Sequence, residues 1–126
     1  MIDWNQVWKL TLLASRQGSP ENGYEKEEAA ERYDRSEGIR LDGERRATAL
    51  EVEPSCSVLD IGAGPGTLAL PLARRVRQVT AVEPSLAMVK RLERHIAEEG
   101  ISNIRILPEK WEDLSDEEVG EHDLVI

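Results

Sequence analysis

Val58-Leu59-Asp60-Ile61-Gly62-Ala63-Gly64-Pro65-Gly66-Thr67 is the stretch that decides how this chain folds. Val58, Leu59 and Ile61 read as a buried strand that runs straight into Gly62, with no polar linker between. Glycines at 62, 64 and 66 let the backbone turn tightly and let a ligand approach main-chain atoms with no Cβ in the way. A helix is expected directly after the turn, so the stretch reads as one strand–turn–helix step of a parallel α/β sheet. Asp60 adds chemistry to that geometry, because a carboxylate beside such a turn repels phosphate and favours an amine.

The same glycines admit other readings. In a shifted register, Gly64-Pro65-Gly66-Thr67-Leu68-Ala69 satisfies the dinucleotide fingerprint Gly-x-Gly-x-x-Gly or Ala. That register places Asp60-Ile61-Gly62 inside the strand and a stiff proline between the two glycines nearest a pyrophosphate. A turn that closes a βα unit around no ligand is the bland alternative. The acid at Asp60 favours a nucleoside with a cationic tail, and S-adenosylmethionine (SAM) has that form. Downstream, Val79-Thr80-Ala81-Val82-Glu83 alternates, ends in an acid and is stopped by Pro84. One βα step therefore separates Asp60 from Glu83, which is expected at the carboxyl end of the neighbouring strand. A carboxylate there accepts ribose hydroxyls in NAD and SAM sites alike, so it supports a nucleoside without choosing one. On this reading, removing the Glu83 side chain should weaken binding and barely affect the stability of the empty protein.

These segments resemble the first two motifs of class I SAM-dependent methyltransferases. Asn103-Ile104-Arg105-Ile106-Leu107 with Trp111-Glu112-Asp113-Leu114 resembles the third strand and adenine-side loop, and His122-Asp123-Leu124-Val125-Ile126 the start of the fourth strand. The resemblance covers about residues 25–126 and implies a doubly wound, Rossmann-like parallel sheet in strand order 3-2-1-4. It further implies that the loop at Gly62, Ala63, Gly64 and Gly66 binds the methionine part of SAM, with Asp60 near its ammonium. Glu83 would hold the ribose, and Pro84, Met88 and Trp111 would bound the adenine. Many family members carry Asp near position 110, where this chain has Lys110, which cannot accept a hydrogen bond. Adenine contacts would then come from backbone near Lys110 and Trp111, or from Glu112. Trp111 reads equally as a ring over the purine or as a core residue.

The family's sheet continues past its fourth strand, where the substrate-facing residues begin, so no catalytic residue is named. The chain is accordingly expected to be a truncated, cofactor-binding half of a methyltransferase with an unknown methyl acceptor. A non-catalytic SAM-binding module and, more distantly, a nicotinamide-nucleotide-binding domain are the alternatives. Strand four would form a sheet edge ending in Leu124, Val125 and Ile126. Such an edge, or the apolar face of an N-terminal helix, predicts homo-oligomers.

Composition sets the outer bounds. The 126 residues suit one domain, and 40% hydrophobic residues with five aromatics make an aliphatic core. The net charge of −9 is shared between both halves, so unassisted binding to a nucleic-acid backbone is disfavoured. Arg74, Arg75 and Arg77 read as a solvated helix end. Cys56 is the only cysteine and reads as a packing residue, which with the lack of a signal-like start predicts a reducing, cytoplasmic setting. His95 and His122 have no metal-ligand spacing, and no apolar run approaches the roughly 20 residues of a membrane span.

Period and punctuation divide the chain at about residue 24. Trp4, Val7, Trp8 and Leu12 predict an amphipathic helix over 3–14, followed by a flexible connection at 18–23. From residue 25 onward, helices are expected over 25–35, 39–51 and 66–76. A further helix capped by Ser85 should bury Leu86, Val89, Leu92 and Ile96 and end at Gly100, and a short one should start at Ser115.

Overall fold

In a computed structural model of the chain, residues 26–126 are described. The predicted N-terminal helix over 3–14 and the connection at 18–23 lie outside the described residues. Two helices, α1 (Glu27–Asp34) and α2 (Glu37–Ala49), lead into a sheet built from β1 (Ser57–Ile61), β2 (Gln78–Val82), β3 (Ile104–Leu107) and β4 (Leu124–Val125). Between the strands run α3 (Ala69–Ala73), α4 (Leu86–Glu99), a 3-10 turn at Trp111–Asp113 and α5 (Asp116–Val119).

All pairings are parallel and the order is β3-β2-β1-β4, as the resemblance implied. Each crossover must therefore carry the chain back to the start of the next strand, which is why helical segments separate the strands. Strand alternation splits the core in two. Val58 and Val79 pack with Ala69, Leu72, Val76 and Ala47 on one face, and Leu59 and Val82 pack with Trp111, Leu114 and Val119 on the other.

Local signals set the element ends. The Ser85 hydroxyl accepts a hydrogen bond from Met88 N and starts α4, and Gly100 ends it in the left-handed conformation at φ 64°. Ser115 and Glu118 form a reciprocal capping box on α5.

Three expectations change. Helix α3 is only five residues long, not the span 66–76, because Pro71 has no N–H to give the carbonyl of Thr67. That carbonyl lies against Gly43 instead, where a Cβ would come within 2.3 Å of it, so the glycine is what lets α2 lie on the turn. Leu86 is not buried but 67% exposed, since it is the first residue of α4 and overhangs the sheet's end. The arginines after α3 are tethers and not merely a solvated end. Arg74 bridges Glu44 and Glu99, Arg75 donates to the carbonyls of Ala47 and Leu50, and Arg77 donates to Ser55 O.

The β4 edge is less bare than three apolar residues in a row suggest. Leu124 and Ile126 pack on the core, and Val125 alone points outward at 40% exposure. Asp123 secures the strand's start, its Oδ2 accepting hydrogen bonds from Ser57 N at 2.8 Å and Ser57 Oγ at 3.1 Å. Cys56 is a free thiol packed at the core's margin, as expected.

Candidate functional site

In strand order 3-2-1-4 the direction of winding reverses beside β1, and such a reversal opens a crevice beyond the carboxyl ends of the strands. The glycine turn lies there. Gly62, Gly64 and Gly66 all have positive φ (77°, 58° and 97°), a region that side chains disfavour. Their surroundings differ. A Cβ on Gly62 or Gly64 would meet nothing within 4 Å, so main-chain atoms face open space. A Cβ on Gly66 would strike Leu70 and Leu92 at 2.7 Å, so this glycine serves close packing of the turn on α3 and α4.

The turn is pinned to its neighbour strand. Gly62 N and Ala63 N both donate to Val82 O, at 2.8 and 3.1 Å. Glu83 follows Val82 and is only 6% exposed. Its Oε2 accepts from Gly64 N at 2.8 Å and its Oε1 from Ser85 N at 2.9 Å. Glu83 therefore straps the turn to the start of α4, which corrects the expectation that its loss would leave the empty protein undisturbed. Each carboxylate oxygen has a second lone pair, so the strap still leaves acceptors for hydroxyls.

Asp60 is buried at 4% exposure, and its Oδ2 has no hydrogen-bond partner among the described residues. Burial, and then the adjacent Glu83 carboxylate, push its carboxyl from the ordinary 3.8 up to about 7, while Arg46 pulls it down. A buried acid without a donor is costly, and an arriving cation with N–H donors relieves it. This atom is the strongest sign in the fold that a cationic group belongs beside the turn.

The remaining expected residues fall around this centre. Pro84 and the buried Met88 continue from Glu83, with Met88 packed under α1 against Ala30. Glu83 N donates to Leu107 O at 3.1 Å, so the chain leaving β3 toward Lys110 departs beside Glu83. Lys110 is exposed and caps the 3-10 turn, while Trp111 is turned inward, 4% exposed, against Leu59, Val82 and Leu114. Of the two readings of Trp111, its packing is that of a core residue. His95 pairs with Asp34 Oδ1 at 2.7 Å and His122 with Thr80 Oγ1 at 2.8 Å. Among the described residues no cluster suited to a metal ion occurs, and no helix is long and apolar enough to cross a membrane.

Two charged residues were missed by the sequence reading. Arg46 lies on a strongly charged helix where one more arginine is unremarked. Arg91 occupies a slot on α4 beside Leu92, yet its side chain is 5% exposed and bridges Glu27 and Glu31 of α1 at 2.8 and 2.6 Å. The facing acids at Glu27 and Glu31, one helical turn apart, were the available clue.

Comparison with known proteins bears on the fold and the family. A family profile described as a methyltransferase domain matches residues 58–126, more than half of the chain. A 23S rRNA (uracil(1939)-C(5))-methyltransferase of Aeromonas hydrophila is 44% identical over 62 residues, which is 49% of this chain and 14% of that protein. A probable ribosomal RNA small subunit methyltransferase A of Methanosphaera stadtmanae is 37% identical over 57 residues, 45% of this chain and 21% of that one. The chain thus spans well under a quarter of the length of these relatives. Among solved structures, a dimethyladenosine transferase from Plasmodium falciparum superposes with a TM-score of 0.56 at 22% identity, over 71% of this chain and 30% of its own. A putative S-adenosyl-L-methionine-dependent methyltransferase from Methanococcus maripaludis gives 0.54 at 21% identity, over 71% of this chain and 44% of its own. At such identities the superpositions speak to the fold alone. The family match covers β1, the glycine turn, the Glu83 strap and β4 together, and the chain belongs to the methyltransferase domain family.

Proposed function

We propose that this domain binds SAM and serves methyl transfer to an acceptor. The observation that carries the reading is the buried, unpartnered Asp60 Oδ2 beside a glycine turn open to ligand. An ammonium group fits that atom, whereas a pyrophosphate would add negative charge next to two carboxylates. The residues present therefore fit the amino-acid end and ribose of SAM better than a dinucleotide.

In this reading Gly62 and Gly64 supply close main-chain approach, and Asp60 receives the ammonium group. Glu83 orients the ribose through lone pairs left beyond its two backbone hydrogen bonds. The exposed Leu86, with Pro84, offers apolar surface at the adenine end, and the backbone around Lys110 to Glu112 provides polar contacts there. Bound SAM supplies an electrophilic methyl on a sulfonium. The chain's own contribution is positioning, which is worth several kcal/mol in such reactions.

The acceptor is a separate matter. The relatives named for ribosomal RNA match this chain over a small part of their own length, and the net charge of −9 gives the chain little attraction for a phosphate backbone. A nucleic-acid acceptor would on this reading be held by elements other than the described domain.

Calorimetric titration with S-adenosylhomocysteine, SAM and NAD tests the proposal. The two adenosyl amino acids should bind and NAD should bind more weakly. Tighter binding of NAD would overturn it.

A further inference from the structure

Arg77 and Arg105 are held in place by main-chain carbonyls and not by acids. Arg77 Nε donates to Ser55 O at 3.3 Å and Arg105 Nη2 to Val119 O at 2.8 Å. Among the described residues neither has an ion pair, whereas Arg74, Arg91 and Arg94 each reach a carboxylate. A carbonyl anchor fixes a guanidinium without cancelling its charge, and most of its five N–H groups stay available. Both side chains line one crevice of about 290 Å³, together with Gln78, Ser102, Asn103 and Ile104. These walls hold no carboxylate, although the chain carries a net charge of −9. Gln78 is the first residue of β2 and Ile104 the first of β3, so the crevice lies at the amino end of the parallel sheet, opposite the glycine turn. The walls are braced. Asn103 Nδ2 donates to the carbonyls of Ala73, Val76 and Arg77 at 2.7, 3.1 and 3.4 Å, and Arg77 N donates to Cys56 O at 2.9 Å. Asp123 feels the charge of Arg77, but its Oδ2 is occupied by Ser57 N and Oγ and it does not line the crevice.

Two anchored guanidiniums around one acid-free crevice make a receptor for a compact, multiply charged oxyanion. A guanidinium fork matches paired oxygens of a phosphoryl group, and Gln78 and Ser102 add neutral donors. We propose that this crevice binds the phosphate end of a small molecule, at a site separate from the glycine turn. The two scales of charge argue for a compact ligand. A short anion meets only the cationic walls, whereas a long polyanion extends over a surface whose net charge of −9 repels it. A carboxylate is the poorer fit, because it sets two oxygens and a single charge against two forks.

Calorimetric titrations at low ionic strength test the site with inorganic phosphate, diphosphate, acetate and a short single-stranded oligoribonucleotide. Phosphate and diphosphate should bind saturably, and acetate more weakly than either. Arg77→Gln and Arg105→Gln should each weaken diphosphate binding about tenfold, the scale of one charge-assisted hydrogen bond. Arg77→Lys and Arg105→Lys should retain part of the affinity. Arg45→Gln removes the same charge from an exposed position on α2 outside the crevice and should leave the affinity unchanged. In the wild type, the backbone amide resonances of residues 102–105 should shift as phosphate is added, which locates the ion without any variant. Absence of saturable diphosphate binding, equal weakening by Arg45→Gln, or shifts confined to other residues would each overturn the site. Tighter binding of the oligoribonucleotide than of diphosphate would overturn its assignment to a small molecule.

Discussion

Asp60→Asn should stabilise the empty protein at alkaline pH and weaken its hold on the cofactor. The Asp60 carboxyl titrates at about 7 in the fold and at about 3.8 in an unfolded chain, so the folded state holds the proton more tightly. Linkage then fixes the sign. The stability that Asp60 contributes is fully present below 3.8 and is lost as pH rises through about 7. At 1.36 kcal/mol per pKa unit, the loss between pH 5 and pH 8 is roughly 2–3 kcal/mol. Asparagine does not titrate, although its buried amide still lacks a partner and costs about 1–3 kcal/mol at every pH. That fixed cost cancels when the two pH profiles are compared. The variant should therefore gain on the wild type by roughly 8 °C or more in thermal midpoint from pH 5 to pH 8, at about 4 °C per kcal/mol. The assay is thermal denaturation across that pH range without ligand, followed by titration with S-adenosylhomocysteine at pH 8. Parallel profiles for the two proteins would refute the buried, proton-holding Asp60, and undiminished affinity in the variant would refute its role toward the ammonium.

Three further outcomes follow from the packing. Glu83→Ala should lower the stability of the empty protein by about 2–4 kcal/mol, because Gly64 N and Ser85 N lose their acceptor, and should weaken S-adenosylhomocysteine binding at least tenfold by titration; an unchanged midpoint would contradict the strap. Gly43→Ala should destabilise by about 1–3 kcal/mol despite alanine's better helix propensity, since its methyl meets the Thr67 backbone, and a raised thermal midpoint would show that α2 does not lie so close. Arg91→Ala should speed amide hydrogen exchange in α1 while β1 and β2 stay protected; equal protection of α1 would mean that its few apolar contacts hold it without Arg91.

What the sequence made legible is what short-range rules govern. Strand β1 and the caps at Ser85, Gly100 and Ser115 follow from alternation, turn glycines and capping chemistry, and the strand order is the one the family resemblance implied. The placement of Asp60 and Glu83 at adjacent strand ends beside the glycine turn was legible for the same reason. What escaped was each feature made by two distant segments. The late start of α3 follows from Pro71, but the contact of the Thr67 carbonyl with Gly43 needs α2 brought alongside, which Pro71 does not announce. Arg74, Arg75 and Arg77 look like a solvated cluster until the carbonyls and acids brought by α2, α4 and the start of β1 are known.

Glu83 shows why a correctly placed residue can still have its work misjudged. Sequence spacing sets it at the end of β2, where a ribose-binding acid belongs, and chemistry assigns its oxygens to hydroxyls. The fold uses the same oxygens to hold Gly64 N and Ser85 N, so the carboxylate also shapes the turn. Beside it, burial first and then the Glu83 carboxylate raise the Asp60 carboxyl to about 7. The empty site is thus poised against itself at neutral pH. A ligand that brings a cation to Asp60 gains the relief of that strain in addition to its own contacts, and a ligand that brings phosphate does not. On the proposed SAM reading, a preference for an amino-acid-bearing nucleoside would reside in the burial of Asp60 beside Glu83, while the glycines make the approach possible.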